Sequence, residues 1–193
     1  MVIKYFRKCK ISTRINWIGF WKIVVKKNIN LKDTTIIIPA KIIENNLINC
    51  IKKCIKKYPD TPITIVLDNL NKKNSLLKIK NIKFIQTGPI SIAEKRNIAV
   101  KSTKTNYLAF LDSDAYPGEN WLENGLQLLK KKEIVAVGGT ELDFPSQNYT
   151  EKCVSNASKS FLVTILNFRK NLKKEKYCNY LPSCNLILKK KKL

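Results

Sequence analysis

Two carboxylates one residue apart, Asp112 and Asp114, close the apolar run Tyr107-Leu108-Ala109-Phe110-Leu111. Alternate residues of an extended strand share a face, and a turn just past the strand end lets both carboxylates converge on one hard divalent cation, which takes oxygen ligands. A plainer reading also stands: Asp114 precedes Pro117 and a helical pattern, where an aspartate can cap free N–H groups.

A second group is anionic in its preference. Ser91 with Glu94 three residues on fits a capping box and fixes a helix start after Thr87-Gly88-Pro89. Lys95 and Arg96 then fall in the first turns, where the helix dipole already favours an anion such as a diphosphate. Arg96 is the more pointed of the two, because arginine is scarce in this chain and offers a planar fork to phosphate oxygens. The alternative is a solvated basic face in a lysine-rich protein. Asp68 ends another apolar run, Ile63-Thr64-Ile65-Val66-Leu67.

Other chemistries are excluded. The chain has no histidine, which removes His-based zinc sites, nucleophile–histidine dyads and histidine general bases. Its six cysteines, Cys9, Cys50, Cys54, Cys153, Cys178 and Cys184, show no CxxC pairing. Without a secretory signal they read as reduced thiols. Cys50 and Cys54 sit four apart on a helix where two thiolates could share a metal, but Ile43, Leu47, Cys50 and Cys54 trace an apolar face, which favours burial in the core.

The elements that must position these groups alternate along the 193 residues, a length sufficient for one core-forming domain. Strands are expected at residues 34–39, 62–68, 82–87, 106–112 and 134–137, the last closed by Gly138-Gly139. Helices are expected at 43–58, 91–103 and 121–131. Such alternation predicts an α/β fold, a mostly parallel sheet with helices on both faces, in which ligands collect at the carboxyl ends of the strands. Asp68 and Asp112 each end a strand and so reach one crevice.

The net charge is +23, from 37 basic and 14 acidic residues. Of the basic residues 33 are lysine, and Ile and Asn are also abundant; this reads as codon bias rather than selection for phosphate binding. No nucleic-acid motif or basic–aromatic ladder accompanies the charge, so no nucleic-acid partner is expected. Residues 15–25 form the one apolar run worth testing for a membrane; it contains Lys22 and falls short of the ~20 residues a spanning helix needs. With Trp17, Phe20 and Trp21 among basic residues, the segment 1–32 either lies peripherally on an anionic membrane surface or packs on the domain. The expected location is the cytoplasm, with the inner face of the membrane as the alternative. The expected organisation is a basic amphipathic segment, 1–32, followed by one domain, 33–193.

From Thr34 to about Leu188 the chain resembles the family 2 glycosyltransferases, which have the GT-A (Rossmann-like) fold. The resemblance rests on ordered blocks: Thr35-Ile36-Ile37-Ile38-Pro39-Ala40-Lys41, Ile65-Val66-Leu67-Asp68, Thr87-Gly88-Pro89 with Ala93-Glu94-Lys95-Arg96-Asn97, and Ala109-Phe110-Leu111-Asp112-Ser113-Asp114-Ala115-Tyr116-Pro117 with Trp121-Leu122. Val135-Ala136-Val137-Gly138-Gly139 and Leu181-Pro182-Ser183-Cys184-Asn185-Leu186 follow.

The resemblance implies a nucleotide-diphosphate-sugar donor, a glycan or lipid-linked acceptor in cell-envelope polysaccharide synthesis, and Mn2+ or Mg2+. It places Pro39, Ala40, Lys41 and Asp68 at the base and ribose, and Lys95 and Arg96 near the nucleotide. Asp114 becomes the principal metal contact, and Asp112 faces the ribose or donor sugar or reaches the metal through water. Ser183, Cys184 and Asn185 fall near the donor sugar or acceptor. The cation would bridge the diphosphate and offset charge on the leaving group.

Three departures qualify this. Lys41 stands where many relatives carry an aromatic residue, and Asn69 where a second acid is common. In inverting members a carboxylate beyond the Pro182–Asn185 block acts as general base; here the expected base lies beyond Leu193, while Glu141 and Asp143 precede the block. The expectation is therefore a chain truncated at its C-terminus, its acceptor part incomplete. The alternative to an inverting transferase is a non-catalytic remnant or subunit that holds nucleotide-sugar without transfer. A basic phosphate-surface binder, and a phosphatase using Asp112 as nucleophile and Asp114 as acid, rank lower, the latter because the pair sits after the fourth strand and is followed by Ala115.

Overall fold

The computed structural model describes residues 9–12, 29–70, 79–139, 149–159, 176–178 and 181–192. Eight strands among them form one sheet: β1 (Cys9–Ser12), β2 (Thr34–Pro39), β3 (Ile63–Leu67), β4 (Ile82–Gln86), β5 (Tyr107–Leu111), β6 (Ala136–Gly139), β7 (Lys176–Cys178) and β8 (Asn185–Lys189). Four helices accompany them: α1 (Asn45–Lys57), α2 (Ile92–Ser102), α3 (Trp121–Leu129) and α4 (Tyr149–Lys159).

The spatial order is β4-β3-β2-β5-β8-β6-β1-β7. Strands β4, β3, β2 and β5 are mutually parallel; β8 is antiparallel to both β5 and β6, β1 is parallel to β6, and β7 is antiparallel to β1. Six strands thus run one way and two the other, the mostly parallel α/β sheet that the alternation predicts.

Every residue of β2 and β3 is buried, as expected of central parallel strands covered on both faces. Side chains alternate across the sheet. Ile36, Ile38, Ile63, Ile65, Leu67, Ala109, Leu111, Val137 and Ile187 face one core with Leu47, Ile51, Leu122 and Leu126 of α1 and α3. Ile37, Val66, Leu108, Phe110, Ala136, Leu186 and Leu188 face the other with Ala99 of α2. The helices therefore lie on both faces, α1 and α3 on one and α2 on the other.

Five elements depart from expectation, among them β1, β7 and α4, which have no expected counterpart. The fifth strand of the pattern is shifted, so that Gly138 and Gly139 lie inside β6 rather than closing it. The physical reason is close approach: a Cβ on Gly138 would meet Leu181 Cδ2 at 2.7 Å, and one on Gly139 would meet Asn185 Nδ2 at 2.8 Å. Strand β8 was not anticipated at all; it inserts between β5 and the expected fifth strand. Its lysine-rich end continues into a 3-10 turn, Lys190–Lys192, in which Lys190 N donates to Asn106 O (2.8 Å) and Lys190 Nζ to Thr103 O.

Of the segment 1–32, residues 9–12 form β1 within the sheet; residues 1–8 and 13–28, and with them the proposed membrane-facing aromatic residues, lie outside the described residues. So do Glu141 and Asp143. Among the described residues no helix is long and apolar enough to cross a membrane.

Candidate functional site

The order β3-β2-β5 sets three carboxyl ends side by side. Pro39 ends β2 and Ala40 and Lys41 follow it; Asp68 follows β3 and Asp112 follows β5. Backbone bonds continue the ladder past the strands: Ala40 N donates to Val66 O (2.9 Å), Asp68 N to Lys41 O (2.9 Å), and Gly88 N to Asp68 O (3.0 Å). Gly88 has φ +75°, a conformation that glycine adopts without the strain of a Cβ. The turns after β2, β3 and β4 are thereby tied together at one edge.

Helix α2 points its first turn at this edge. Ser91 Oγ accepts from Glu94 N (3.2 Å) and Ser91 N donates to Glu94 Oε2 (3.0 Å), completing the capping box. The Ser91 side chain, then its backbone N–H, holds the Glu94 carboxyl below the ordinary carboxylate range. This start fixes the rotation of the helix and hence where the next two residues go.

Lys95 is not on a solvated face. Its side chain is 1% exposed, its ammonium donates to Ala40 O (2.8 Å), and it forms an ion pair with Asp68 Oδ1. Arg96 lies beside the other acid: Nη2 meets Asp112 Oδ1 at 2.6 Å. Its Nε is buried and has no hydrogen-bond partner among the described residues. A buried N–H without a partner is uncommon, because its desolvation goes uncompensated.

After Asp112 the chain turns, Ala115 N donating to Asp112 O (3.1 Å). The reading of Asp114 as a helix cap fails: α3 starts at Trp121, its N-cap position is Asn120 with φ 51°, and no side chain caps it. Asp114 instead projects from the turn, exposed, and its carboxylate makes no hydrogen bond or ion pair among the described residues. Lys57, from the end of α1, steadies the following loop by donating to Pro117 O (3.3 Å) and Gly118 O (2.8 Å). Beneath the turn, Cys50 Sγ donates to Asp112 O (3.7 Å). A hydrogen bond with Cys54, burial, and the neighbouring acids Asp114 and Asp112 push the Cys50 thiol up. Cys50 and Cys54 are fully buried, core thiols as the apolar helix face suggests.

Among the described residues no three His, Cys, Asp or Glu side chains gather as a metal cage. Asp112, paired with Arg96, and the exposed Asp114 stand two residues apart past the end of β5; carboxylate oxygens are the donor type that a Mg2+-like ion takes, with waters and substrate phosphates completing its shell.

Ser183 and Cys184 lie in the turn before β8. Asn185 pairs with Leu111 across β5 and β8, one residue from Asp112, and its Oδ1 accepts from Trp121 Nε1 (2.8 Å). The structure thus brings together Pro39, Ala40, Lys41, Asp68, Lys95, Arg96 and Asp112, with Asn185 adjoining Asp112. Sequence reasoning missed Lys57, one of many helix-end lysines, and the Trp121–Asn185–Gly139 contact. For the latter the signal was present, in two consecutive glycines and a tryptophan, whose indole N–H seeks a partner when buried.

Residues 35–193 match the model of the family described as glycosyl transferase family 2. Chondroitin synthase of Escherichia coli is 31% identical over 146 residues, spanning 63% of this chain and 21% of that protein. The crystal structure of S. aureus TarS 1–349 superposes with a TM-score of 0.50 at 16% identity, covering 60% of this chain and 37% of that one; at this identity the likeness concerns the fold. The chromosomal replication initiator protein DnaA of Buchnera aphidicola subsp. Cinara cedri is 25% identical over 207 residues, 97% of this chain and 47% of that protein. With 33 Lys, 25 Ile and 20 Asn here, chance identities to any chain of like bias are frequent, and this match assigns no family. The chain spans less than half the length of each of these proteins.

Proposed function

Because the chain belongs to glycosyl transferase family 2, we propose that it binds a nucleotide-diphosphate-sugar at the carboxyl ends of β2, β3 and β5 and transfers the sugar to a glycan or lipid-linked acceptor, with inversion. Pro39, Ala40, Lys41 and Asp68 receive the base and ribose. Arg96 meets the diphosphate. Asp114 and Asp112 hold Mn2+ or Mg2+, and Ser183, Cys184 and Asn185 border the donor sugar or acceptor. When bound, the cation supplies charge compensation to the diphosphate as it leaves.

The observation that carries this reading is the meeting of Arg96 with Asp112 at the strand end from which the exposed Asp114 projects. A cation site beside an arginine with an unpartnered buried Nε suits a ligand that is itself anionic and metal-bound. The remaining work of these residues is positional: they orient the anomeric carbon toward an acceptor hydroxyl, which a carboxylate base deprotonates for in-line attack. None of the described residues is assigned that base. The reading takes the acceptor to belong to cell-envelope synthesis and to be met at the cytoplasmic face of the membrane; the family resemblance and the basic residues of segment 1–32 support it.

Calorimetry with UDP- and GDP-sugars in Mn2+ tests the reading. Binding should require the metal and be lost in Asp114→Ala. Absence of binding to any nucleotide-sugar would overturn it.

A further inference from the structure

Thirty-three lysines are distributed along this chain, and among the described ones Lys95 is the one counted with the fully buried side chains. Lysine normally keeps its ammonium in water, and burying it is costly unless the charge is paired and the remaining donors are used. Both acceptors here come from the edge that carries the site. Ala40 O follows β2, and Asp68 Oδ1 follows β3. The same two turns are already linked by Asp68 N donating to Lys41 O (2.9 Å). One ammonium from α2 therefore clamps two adjacent strand ends.

The clamp divides the Asp68 carboxylate. Oδ1 is buried, whereas the side chain as a whole is 22% exposed, so the exposure falls on the rest of the group. A carboxylate with one oxygen held internally has its orientation fixed, and its second oxygen keeps its acceptor capacity. Arg96, the next residue, contacts Asp112 across the same edge, so α2 carries two neighbouring cations with separate partners.

We propose that Lys95 is a positioning residue for recognition of the nucleoside: it does not meet the diphosphate but fixes Asp68 against the Ala40–Lys41 turn so that the carboxylate oxygen not engaged by the ammonium accepts hydrogen bonds from the donor groups of a base or ribose. This differs from the expectation that Lys95 approaches the nucleotide directly, and it rests on the reading of Asp68 as a nucleoside contact. The recognition task is split along α2, Lys95 serving the nucleoside end through Asp68 and Arg96 the phosphate end.

The split is measurable with two kinds of probe. Mn2+-pyrophosphate reads the phosphate end alone; UDP and GDP in Mn2+ read both ends. In Lys95→Gln the affinity for the tighter of the two nucleotides should fall by about tenfold or more, the order expected for one charge-assisted contact, while pyrophosphate affinity stays within about twofold. Lys95→Arg retains the charge but displaces it, so a smaller nucleotide-selective loss is expected; it stands in should Lys95→Gln not fold. The double variant Lys95→Gln/Asp68→Asn should lose no more than the single variants, because the two residues act as a unit. Equal losses for pyrophosphate and nucleotide, or no loss for either, would overturn the proposal and leave the site reading intact. A wild-type chain that binds neither UDP nor GDP would overturn both.

Discussion

Arg96 Nη2 and Asp112 Oδ1 lie 2.6 Å apart, joining the first turns of α2 to the end of β5 across 16 residues of sequence. The pair is part-exposed, 18% for the arginine side chain and 38% for the aspartate, so solvent screens it and its rupture costs little. On the proposed reading of Asp112 as a cation ligand, this carboxylate carries a guanidinium in the free chain. Cation and arginine would then compete for one oxygen, whereas a diphosphate would give the arginine another partner. That reading predicts that binding of metal and of nucleotide is coupled through this contact.

Replacing Arg96 separates the two. Arg96→Gln should bind Mn2+ alone severalfold more tightly, since the competing charge is gone. The same variant should bind UDP in Mn2+ about tenfold or more weakly, the order expected when a charged hydrogen bond worth roughly 1.5–3 kcal/mol is lost. Titration of Mn2+ by electron paramagnetic resonance, with and without UDP, reads both. Weaker binding of the free ion would show that Arg96 supports the carboxylates rather than competing with them.

Asp114 and Asp112 should differ in what they do for the fold. Asp114 is exposed and has no hydrogen bond or ion pair among the described residues, so Asp114→Ala should change unfolding stability by no more than about 0.5 kcal/mol while removing metal-dependent binding. Asp112→Asn breaks the ion pair with Arg96 and should cost up to about 1 kcal/mol, the range for part-exposed pairs. Urea unfolding of both variants checks this. A larger loss in Asp114→Ala than in Asp112→Asn would mean the turn, not the ligand site, depends on Asp114.

The central strands were legible because β2, β3 and β5 are short apolar runs ended by Pro39, Asp68 and Asp112, and the capping box of α2 can be read from Ser91 and Glu94 alone. These features are local. Strand β8 was not legible for the opposite reason: Asn185 to Lys189 is five residues ending in a lysine tract, and what makes it a strand is its pairing with β5 and β6, each distant in sequence. The direction of Lys95 was hidden likewise. In a lysine-rich chain nothing in residue type marks one ammonium as buried; the mark is the rotation of α2 against the ends of β2 and β3, a tertiary property. Gly138 and Gly139 misled because glycine usually ends a strand, yet here the missing side chains admit Leu181 and Asn185.

Packing of α3 on the sheet makes a further prediction at Gly125. A glycine within a helix normally gains about 1 kcal/mol when replaced by alanine. At this position a Cβ would overlap Ile187 Cδ1 and approach Val137 Cγ2 at 3.4 Å. Ile187 is buried on β8, so a shift of its Cδ1 methyl is made among core neighbours. Overpacking of this kind costs about 1–3 kcal/mol, so Gly125→Ala should be net destabilising, by about 0–2 kcal/mol, despite its favourable helix propensity. Chemical denaturation of the variant, with Gly125→Ala/Ile187→Val as the relief, measures it. A stabilised single variant would show that α3 stands farther from β8 than this contact implies.

The capping box gives the pH dependence a definite sign. Hydrogen bonds from the Ser91 side chain and backbone hold the Glu94 carboxyl below its usual range. A group whose pKa is lower in the folded than in the unfolded chain adds stability that is fully present above the unfolded value, about 4.3 for glutamate, and is lost as pH falls through the folded value. The difference in urea midpoint between wild type and Glu94→Ala should therefore be largest near neutral pH and narrow progressively below about pH 4.3. Taking the difference cancels the other carboxylates, which titrate in both proteins. Glu94→Gln should keep much of the neutral-pH stability, since glutamine also completes a capping box, but should show no such narrowing of its own. A wild-type advantage over Glu94→Ala that grew on acidification would mean that the box prefers the protonated acid, contrary to the hydrogen bonds donated to Glu94 Oε2 by Ser91 N and Oγ.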